Sequence, residues 1–216
     1  ICKLMPRLLE RLRVSQTLRG GLFQADFLAT LSGELMVTLI YHRQLGTGWE
    51  LAARDLAAAL NIQVIGRSRG QKVILDRDWL LEEFELNGRR LRYQQIEGSF
   101  TQPNGGVNRQ MLGWACAQAA SLGGDLLELY CGNGNFTMAL APLFDKVLAT
   151  EVSKSSVHAA QYNIAANNVE NVALVRASSA EIADVLAGRE VLKRMKDIDL
   201  ESYRFSTLFV DPPRSG

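Results

Sequence analysis

The stretch Asp125–Thr137, DLLELYCGNGNFT, narrows the choice of fold more than any other part of the chain. Asp125 to Leu129 has an apolar majority and reads as a buried strand. Tyr130 to Asn135 break into a glycine-bearing turn, and Phe136 to Leu143 read as a helix. Strand, glycine turn and helix together bring backbone N–H groups to a ligand at the start of the helix. Gly132 and Gly134 lack a Cβ, so the backbone there can take positive φ and come close to a ligand. Glu151 ends the next apolar run, Val147 to Thr150, nineteen residues after Gly132. That matches the spacing, roughly 20 residues, of an acid that grips ribose hydroxyls.

Two ligand classes fit such a unit, a nicotinamide dinucleotide and S-adenosyl-L-methionine. The dinucleotide fingerprint wants a third glycine three residues after the second, for close helix packing. Thr137 stands there. Glu128, a carboxylate inside the strand end, suits a cationic methionyl group better than a pyrophosphate. A later apolar run, Thr207 to Val210, ends in Asp211-Pro212-Pro213-Arg214. These features favour the methyl donor.

From Tyr93 onward the pattern alternates: helix 105–120 with Asn104 as N-cap, strand 125–129, helix 136–143, strand 146–150, helix 153–167, strand 171–176, helix 178–187, strand 206–210. Alternation of this kind predicts an α/β fold with a parallel sheet and helices on both faces. Arg189 to Tyr203 reads as helix plus loop. Residues 1–92 read differently. A helix over Leu4–Val14 presents Arg7, Arg11 and Arg13 on a face that is either solvated or in contact with RNA. Strands at Leu22–Leu31 and Glu34–His42 flank a two-residue turn at Ser32-Gly33. A helix over Trp49–Leu60 follows. A second hairpin, Ile62–Arg67 and Lys72–Leu75, carries a basic tip of Arg67, Arg69 and Lys72, and Arg89–Ile96 is another strand. The expectation is a small α+β unit of antiparallel hairpins over 1–92 and a Rossmann-like domain over 93–216.

The apolar and charged shares, 47% and 22%, are those of an ordinary globular protein. Its apolar runs fall far short of the roughly 18 residues that span a bilayer. Cys2, Cys116 and Cys131 have no zinc or cluster spacing and cannot all pair, which points to a reducing cytoplasm. The net charge is +1. Residues 1–100 hold 14 Lys and Arg against 11 Asp and Glu, and the remainder 10 against 12. This mild asymmetry is compatible with RNA contacts on the first half.

Four blocks in order, SFTQPN (Ser99–Asn104), LLELYCGNGNF, ATEVSKSSVHAAQYNIAANN and FVDPPRSG, resemble the RNA uracil C5-methyltransferases. The resemblance extends back through LFQADFLATLSGELMVTLIYH. It is nearest to the bacterial tRNA-directed members, which make ribothymidine in the T-loop. The resemblance implies a Rossmann-like S-adenosylmethionine-dependent methyltransferase domain preceded by a small α+β RNA-binding domain. It implies S-adenosyl-L-methionine as cofactor, tRNA through its T-arm as partner, tmRNA as a second RNA, and a cytoplasmic setting. Neither a membrane nor a protein partner is expected.

By the same resemblance the cofactor contacts fall on Gln102, Tyr130, Asn135, Glu151 and Asp211. Glu151 would accept from both ribose hydroxyls, and Tyr130 and Asn135 would line the methionyl end. Tyr130 reads equally as core packing. Arg214 would hold a phosphate or the uracil carbonyl, or stand as a surface arginine. The family adds a Cys thiolate to uracil C6 and removes the C5 proton with a carboxylate base. The Ser-Cys-Asn-Pro motif of that nucleophile, and its Glu base, are expected beyond Gly216, together with the last strands of the sheet. On this reading no catalytic residue lies within the 216 residues, and they alone are inactive. Cys131 reads as part of the cofactor loop. The other readings are a ribosomal RNA substrate and a non-catalytic RNA- or nucleotide-binding protein.

Overall fold

The structure, a computed structural model, describes residues 1–213. The chain forms two compact units, which divide between Glu82 and Glu83. In the first, α1 (Leu4–Val14) and the short α2 (Gln16–Arg19) precede β1 (Leu22–Ala29), β2 (Leu35–Tyr41), α3 (Thr47–Leu60), β3 (Gln63–Ser68) and β4 (Gln71–Ile74). The strands form one sheet in the order β1-β2-β3-β4. β1–β2 and β3–β4 are antiparallel, as expected for hairpins. β2 and β3, however, run parallel, with Met36 opposite Gln63 and Ile40 opposite Arg67. The unit is therefore built around a crossover through α3 as well as hairpins, because parallel neighbours cannot be joined by a tight turn.

Alternation along β2 explains the packing. Val37, Leu39 and Tyr41 join Leu4, Leu8 and Leu12 of α1 and Trp49, Ala53, Leu56 and Leu60 of α3 in one core. Met36 points the other way, to Ile65 and Leu80. The β1–β2 turn is longer than the expected Ser32-Gly33 pair. Thr30 N–H donates to Glu34 O at 3.0 Å, which leaves Leu31, Ser32 and Gly33 in a three-residue loop with Gly33 at φ 99°. The buried Glu82 carboxylate accepts from the N–H groups of Leu31 (2.9 Å to one oxygen, 3.0 Å to the other) and Ser32 (3.3 Å).

β5 (Trp79–Leu86) carries the chain across the division, and β6 (Arg89–Ile96) follows it through a turn at Asn87 and Gly88, both at positive φ. The domain break expected after residue 92 would fall inside β6. β6 instead packs on its own unit: Arg92 N–H donates to Asn167 Oδ1 (2.9 Å) and Gln94 N–H to Asn163 Oδ1 (2.6 Å).

The second unit continues with α4 (Gly105–Ala119), β7 (Asp125–Leu129), α5 (Asn135–Leu140), β8 (Lys146–Glu151), α6 (Lys154–Ala166), β9 (Val172–Arg176), α7 (Ser179–Leu186) and β10 (Phe205–Val210). Asn104 caps α4, its side chain accepting from Val107 N–H. The four strands form a parallel sheet in the order β10-β7-β8-β9. Successive residues of β7 bury on opposite sides. Leu126 packs with Leu112 and Cys116 of α4 and Met138 of α5, and Leu127 with Ile182 of α7. Both faces are covered, as a parallel sheet requires. α5 ends at Leu140 because Pro142 brings no N–H, and Ala141–Leu143 tighten into a 3-10 turn. The expected helix in Arg189–Tyr203 is replaced by two single 3-10 turns, with Leu192 and Met195 buried against α7.

Candidate cofactor site

The strand order reverses between β7 and β10, and ligands of open α/β sheets bind at the carboxyl ends of strands at such a point. Three of the five residues that follow β7 are left-handed: Tyr130 at φ 60°, Gly132 at 58° and Gly134 at 81°. The loop is tied at both ends. Cys131 N–H donates to Thr150 O on β8 (2.9 Å), and Gly134 N–H to Cys131 O (2.8 Å). A Cβ at Gly132 would meet no atom within 4 Å, so the loop leaves an open side there that a side chain would fill. A bulky residue with positive φ is an outlier that stores strain. Tyr130 is such a residue, fixed by a 2.6 Å hydrogen bond between its hydroxyl and that of Ser179. With α5 only six residues long, the backbone of the loop, rather than a helix dipole, shapes this site.

Glu151 ends β8 against that loop. Its Oε2 accepts from Gly132 N–H (3.0 Å), and its Oε1 from Val152 N–H (2.8 Å) and Ser153 N–H (2.7 Å). A carboxylate offers about four lone-pair positions. Three are taken, and the free one is on Oε2. A grip on both ribose hydroxyls would therefore need the Oε1 bonds to be shared or released.

Asn135 and Asn108 of α4 exchange both amide bonds, at 2.8 and 2.9 Å, and Asn135 O accepts from Tyr93 hydroxyl at 3.0 Å. Asn135 is thus committed to holding α4 against α5, with capacity left on each amide. Gln102 is half-buried on the segment leading into α4. Asp211 follows β10 and is exposed, and its charge acts on Glu128. Arg214 lies outside the described residues.

Glu128, one pair before the end of β7, is 1% exposed and lies between Phe209 of β10 and Ala149 of β8. Its Oε2 has no hydrogen-bonding partner among the described residues. Burial pushes its carboxyl up to about 8, Asp211 adds to the rise, and hydrogen bonding from Thr137 pulls the other way. Cys131 is 5% exposed, and burial, then Glu128 and Glu151, hold its thiol well above the ordinary value. Burial also raises Cys116, whose Sγ lies 3.5 Å from Ala139 O. Neither is a ready thiolate. No cluster of metal-ligating side chains occurs among the described residues.

Sequence patterns do not single out Asn163, which is fully buried. Its Oδ1 accepts from Gln94 N–H, its Nδ2 donates to Asn133 O (2.8 Å), and Asn133 Nδ2 donates to Gln94 O (3.3 Å). This ring ties the glycine loop to β6 and α6. The one signal is an amide side chain in line with Ser156, Ala159 and Ala160 on the buried stripe of α6.

A family model described as tRNA (Uracil-5-)-methyltransferase matches residues 1–216. The chain belongs to the tRNA (uracil-5-)-methyltransferase family. Among members, it is 75% identical over 216 residues to the tRNA/tmRNA (uracil-C(5))-methyltransferase of Dechloromonas aromatica (strain RCB), covering all of this chain and 60% of that one. It is 72% identical to the protein of the same description from Aromatoleum aromaticum, covering 59% of it. The chain therefore spans about 60% of the length of these relatives. The crystal structure of Pyrococcus abyssi tRNA (uracil-54, C5)-methyltransferase in complex with S-adenosyl-L-homocysteine superposes with a TM-score of 0.62 at 19% identity, over 99% of this chain and 50% of that one. That likeness shows the Rossmann-like fold that the alternating pattern predicts.

Proposed function

We propose that the protein carrying this chain transfers a methyl group from S-adenosyl-L-methionine to C5 of a uridine in the T-loop of tRNA, and that tmRNA is a second substrate. The observation that carries the choice of cofactor is Glu128 with its unpartnered Oε2, at the sheet's reversal beside Asp211. Two carboxyl groups there oppose the pyrophosphate of a dinucleotide and suit a sulfonium and ammonium. The open side of Gly132 and the acid at Glu151 fit an adenosine moiety. When bound, the cofactor supplies an electrophilic methyl group.

The chain's own residues hold and orient. Glu151 takes the ribose through Oε2, Tyr130 and Asn135 stand at the methionyl end, and Asp211 stands where cofactor and base meet. Gln102, with a donor and an acceptor, reads a uracil edge, and Arg214 holds a phosphate or carbonyl. The buried thiols of Cys116 and Cys131 are not the nucleophile. Phe23, 64% exposed and 4.4 Å from the ring of His42, offers an aromatic platform on which an unpaired base can stack. No helix among the described residues is long and apolar enough to cross a membrane; a tRNA substrate is the support for a cytoplasmic setting.

The test uses the full-length protein with labelled S-adenosylmethionine and an unmodified tRNA transcript. Label should enter the T-loop uridine and no other position. Binding of a nicotinamide dinucleotide in place of S-adenosylmethionine would overturn the reading.

A further inference from the structure

Among the described residues, the positions other than glycine at positive φ are three asparagines and Tyr130. Asparagine tolerates that conformation because its short polar side chain bonds locally, and a tyrosine has no such help. Strain of this kind persists where the surroundings hold the residue for a purpose. What holds Tyr130 is its hydroxyl, 2.6 Å from that of Ser179. Leu129, Thr150 and Val175 lie side by side near the carboxyl ends of β7, β8 and β9. Tyr130 follows the first of these strands, and Ser179 begins the helix after the third. The pair therefore reaches past the end of β8, across two strand spacings or about 10 Å. The strand it passes is the one that ends in Glu151.

Both ends of this strap are set independently of it. Cys131 N–H donates to Thr150 O, which fixes the backbone just after Tyr130. Ala177 N–H donates to Glu151 O, and a capping box between Ser178 and Glu181 fixes the start of α7. Arg194 in turn holds Glu181, and Ile182 packs with Leu127 of β7. The capping box occupies the Ser178 hydroxyl, so the hydroxyl left to meet Tyr130 is that of Ser179.

We propose that Ser179 is a positioning residue for the cofactor: by gripping the Tyr130 hydroxyl, it holds that ring as a fixed wall of the cleft between the glycine loop and Glu151. The proposal rests on the cofactor reading above and adds to it a residue that itself touches no cofactor. The effect is pre-organisation. Without the bond the tyrosine side chain regains its rotamers, and the cofactor must order it on binding. The loop stays in place, because the backbone bonds of Cys131, Gly132 and Gly134 do not pass through Ser179. Ser179 thus acts on affinity for the methyl donor, and neither on the fold nor on RNA.

The experiment compares the full-length wild type with S179A, S179T, Y130F and the double variant S179A/Y130F. Calorimetry reads the Kd for S-adenosylmethionine, and thermal melting reads the fold. Steady-state kinetics on an unmodified tRNA transcript separate the KM for each substrate from kcat. S179A should weaken cofactor binding about five-fold, the loss of one net hydrogen bond, with Tm and the KM for tRNA as in the wild type. S179T keeps the hydroxyl and should restore the affinity. Y130F keeps the ring and should match S179A, and the double variant should bind no more weakly than either. Wild-type affinity in S179A would overturn the proposal and leave the cofactor reading standing, as would a double variant whose losses add. A weaker S179A with a lower Tm and an equally raised KM for tRNA would overturn it too, by assigning the bond to the fold. Should S179A not fold, Y130F decides, and wild-type affinity there refutes the strap. A wild type that does not bind S-adenosylmethionine would remove the cofactor reading and this proposal with it.

Discussion

Three backbone N–H groups converge on the Glu151 carboxylate, so this side chain shapes the glycine loop as well as any ligand site. Glu151→Ala should weaken S-adenosylmethionine binding by roughly 1.5–3 kcal/mol, the loss typical of hydrogen bonds to a charged group. Calorimetry on the full-length protein reads it, and unchanged affinity would remove Glu151 from the ribose role. Glu128 carries a second residue-scale prediction, on stability. Its carboxyl sits at about 8 in the folded chain against 4.5 as the ordinary value. Between those two values the folded state keeps a proton that the unfolded state has lost. The residue therefore makes stability fall as pH rises through that window, by up to about 1.4 kcal/mol per pH unit, with no further effect above it. Urea melts of the wild type and E128Q across the window should diverge in that sense, with the variant the flatter of the two.

At the scale of elements, Asn163 does for β6, α6 and the glycine loop what no apolar residue could. It offers a donor and an acceptor to two backbones at once. Asn163→Ala would leave Gln94 N–H buried without its partner, at about 1–3 kcal/mol, and the half-buried Asn133 O without its own, at less. Thermal melting should show a clear drop, and cofactor affinity should fall with it as the loop loosens.

The β3–β4 hairpin carries the other element-scale expectation. Arg67 stands opposite Lys72 in register, Arg69 is exposed at the turn, and Lys72 is paired with Asp78 at 2.7 Å. Exposed pairs of this kind are weak, so a phosphate can compete for the lysine. Neutralising Arg67, Arg69 and Lys72 together should weaken tRNA binding across sequences. It should also flatten the salt dependence by about one unit of slope for each phosphate that the hairpin no longer neutralises. A wild-type slope in the triple variant would mean that the tip is solvated only.

For the molecule as a whole, the proposed function assigns RNA contact to the first unit and the methyl donor to the second. The described thiols are poorly placed for chemistry on uracil: Cys116 and Cys131 are buried and protonated, and Cys2 is exposed near the first residue. A polypeptide of these 216 residues alone should therefore transfer no methyl group to a T-loop uridine, in contrast to the activity proposed for the full-length protein. Positioning a methyl donor does not replace the covalent step that makes C5 nucleophilic. Labelled cofactor and an unmodified tRNA transcript decide it. Methylation by the short chain that Cys131→Ala abolishes would place the nucleophile in the glycine loop after all.

What the sequence determined by itself was everything written in local patterns. Alternating apolar runs give the parallel sheet, Asn104 caps its helix, and the glycine spacing marks the loop and its acid. These are legible because each depends on neighbours within one or two turns of chain. What only the tertiary structure decided lies in contacts between residues far apart. β5 is hard to read as a strand because Glu82, Glu83 and Glu85 make its sequence look solvated, although Asn87-Gly88 is a hairpin signal. Its inward Glu82 is satisfied by backbone about fifty residues earlier. The parallel pairing of β2 with β3 follows from α3 packing back onto the sheet, where Gly66 leaves room for Trp49; a Cβ there would come within 2.4 Å of the indole. Asn108, Asn163 and Ser179 acquired roles from partners 27 to 69 residues away. Hydrogen bonds of that reach leave no periodicity in a sequence, because polar pairing is set by where the backbone arrives rather than by how often a residue type recurs.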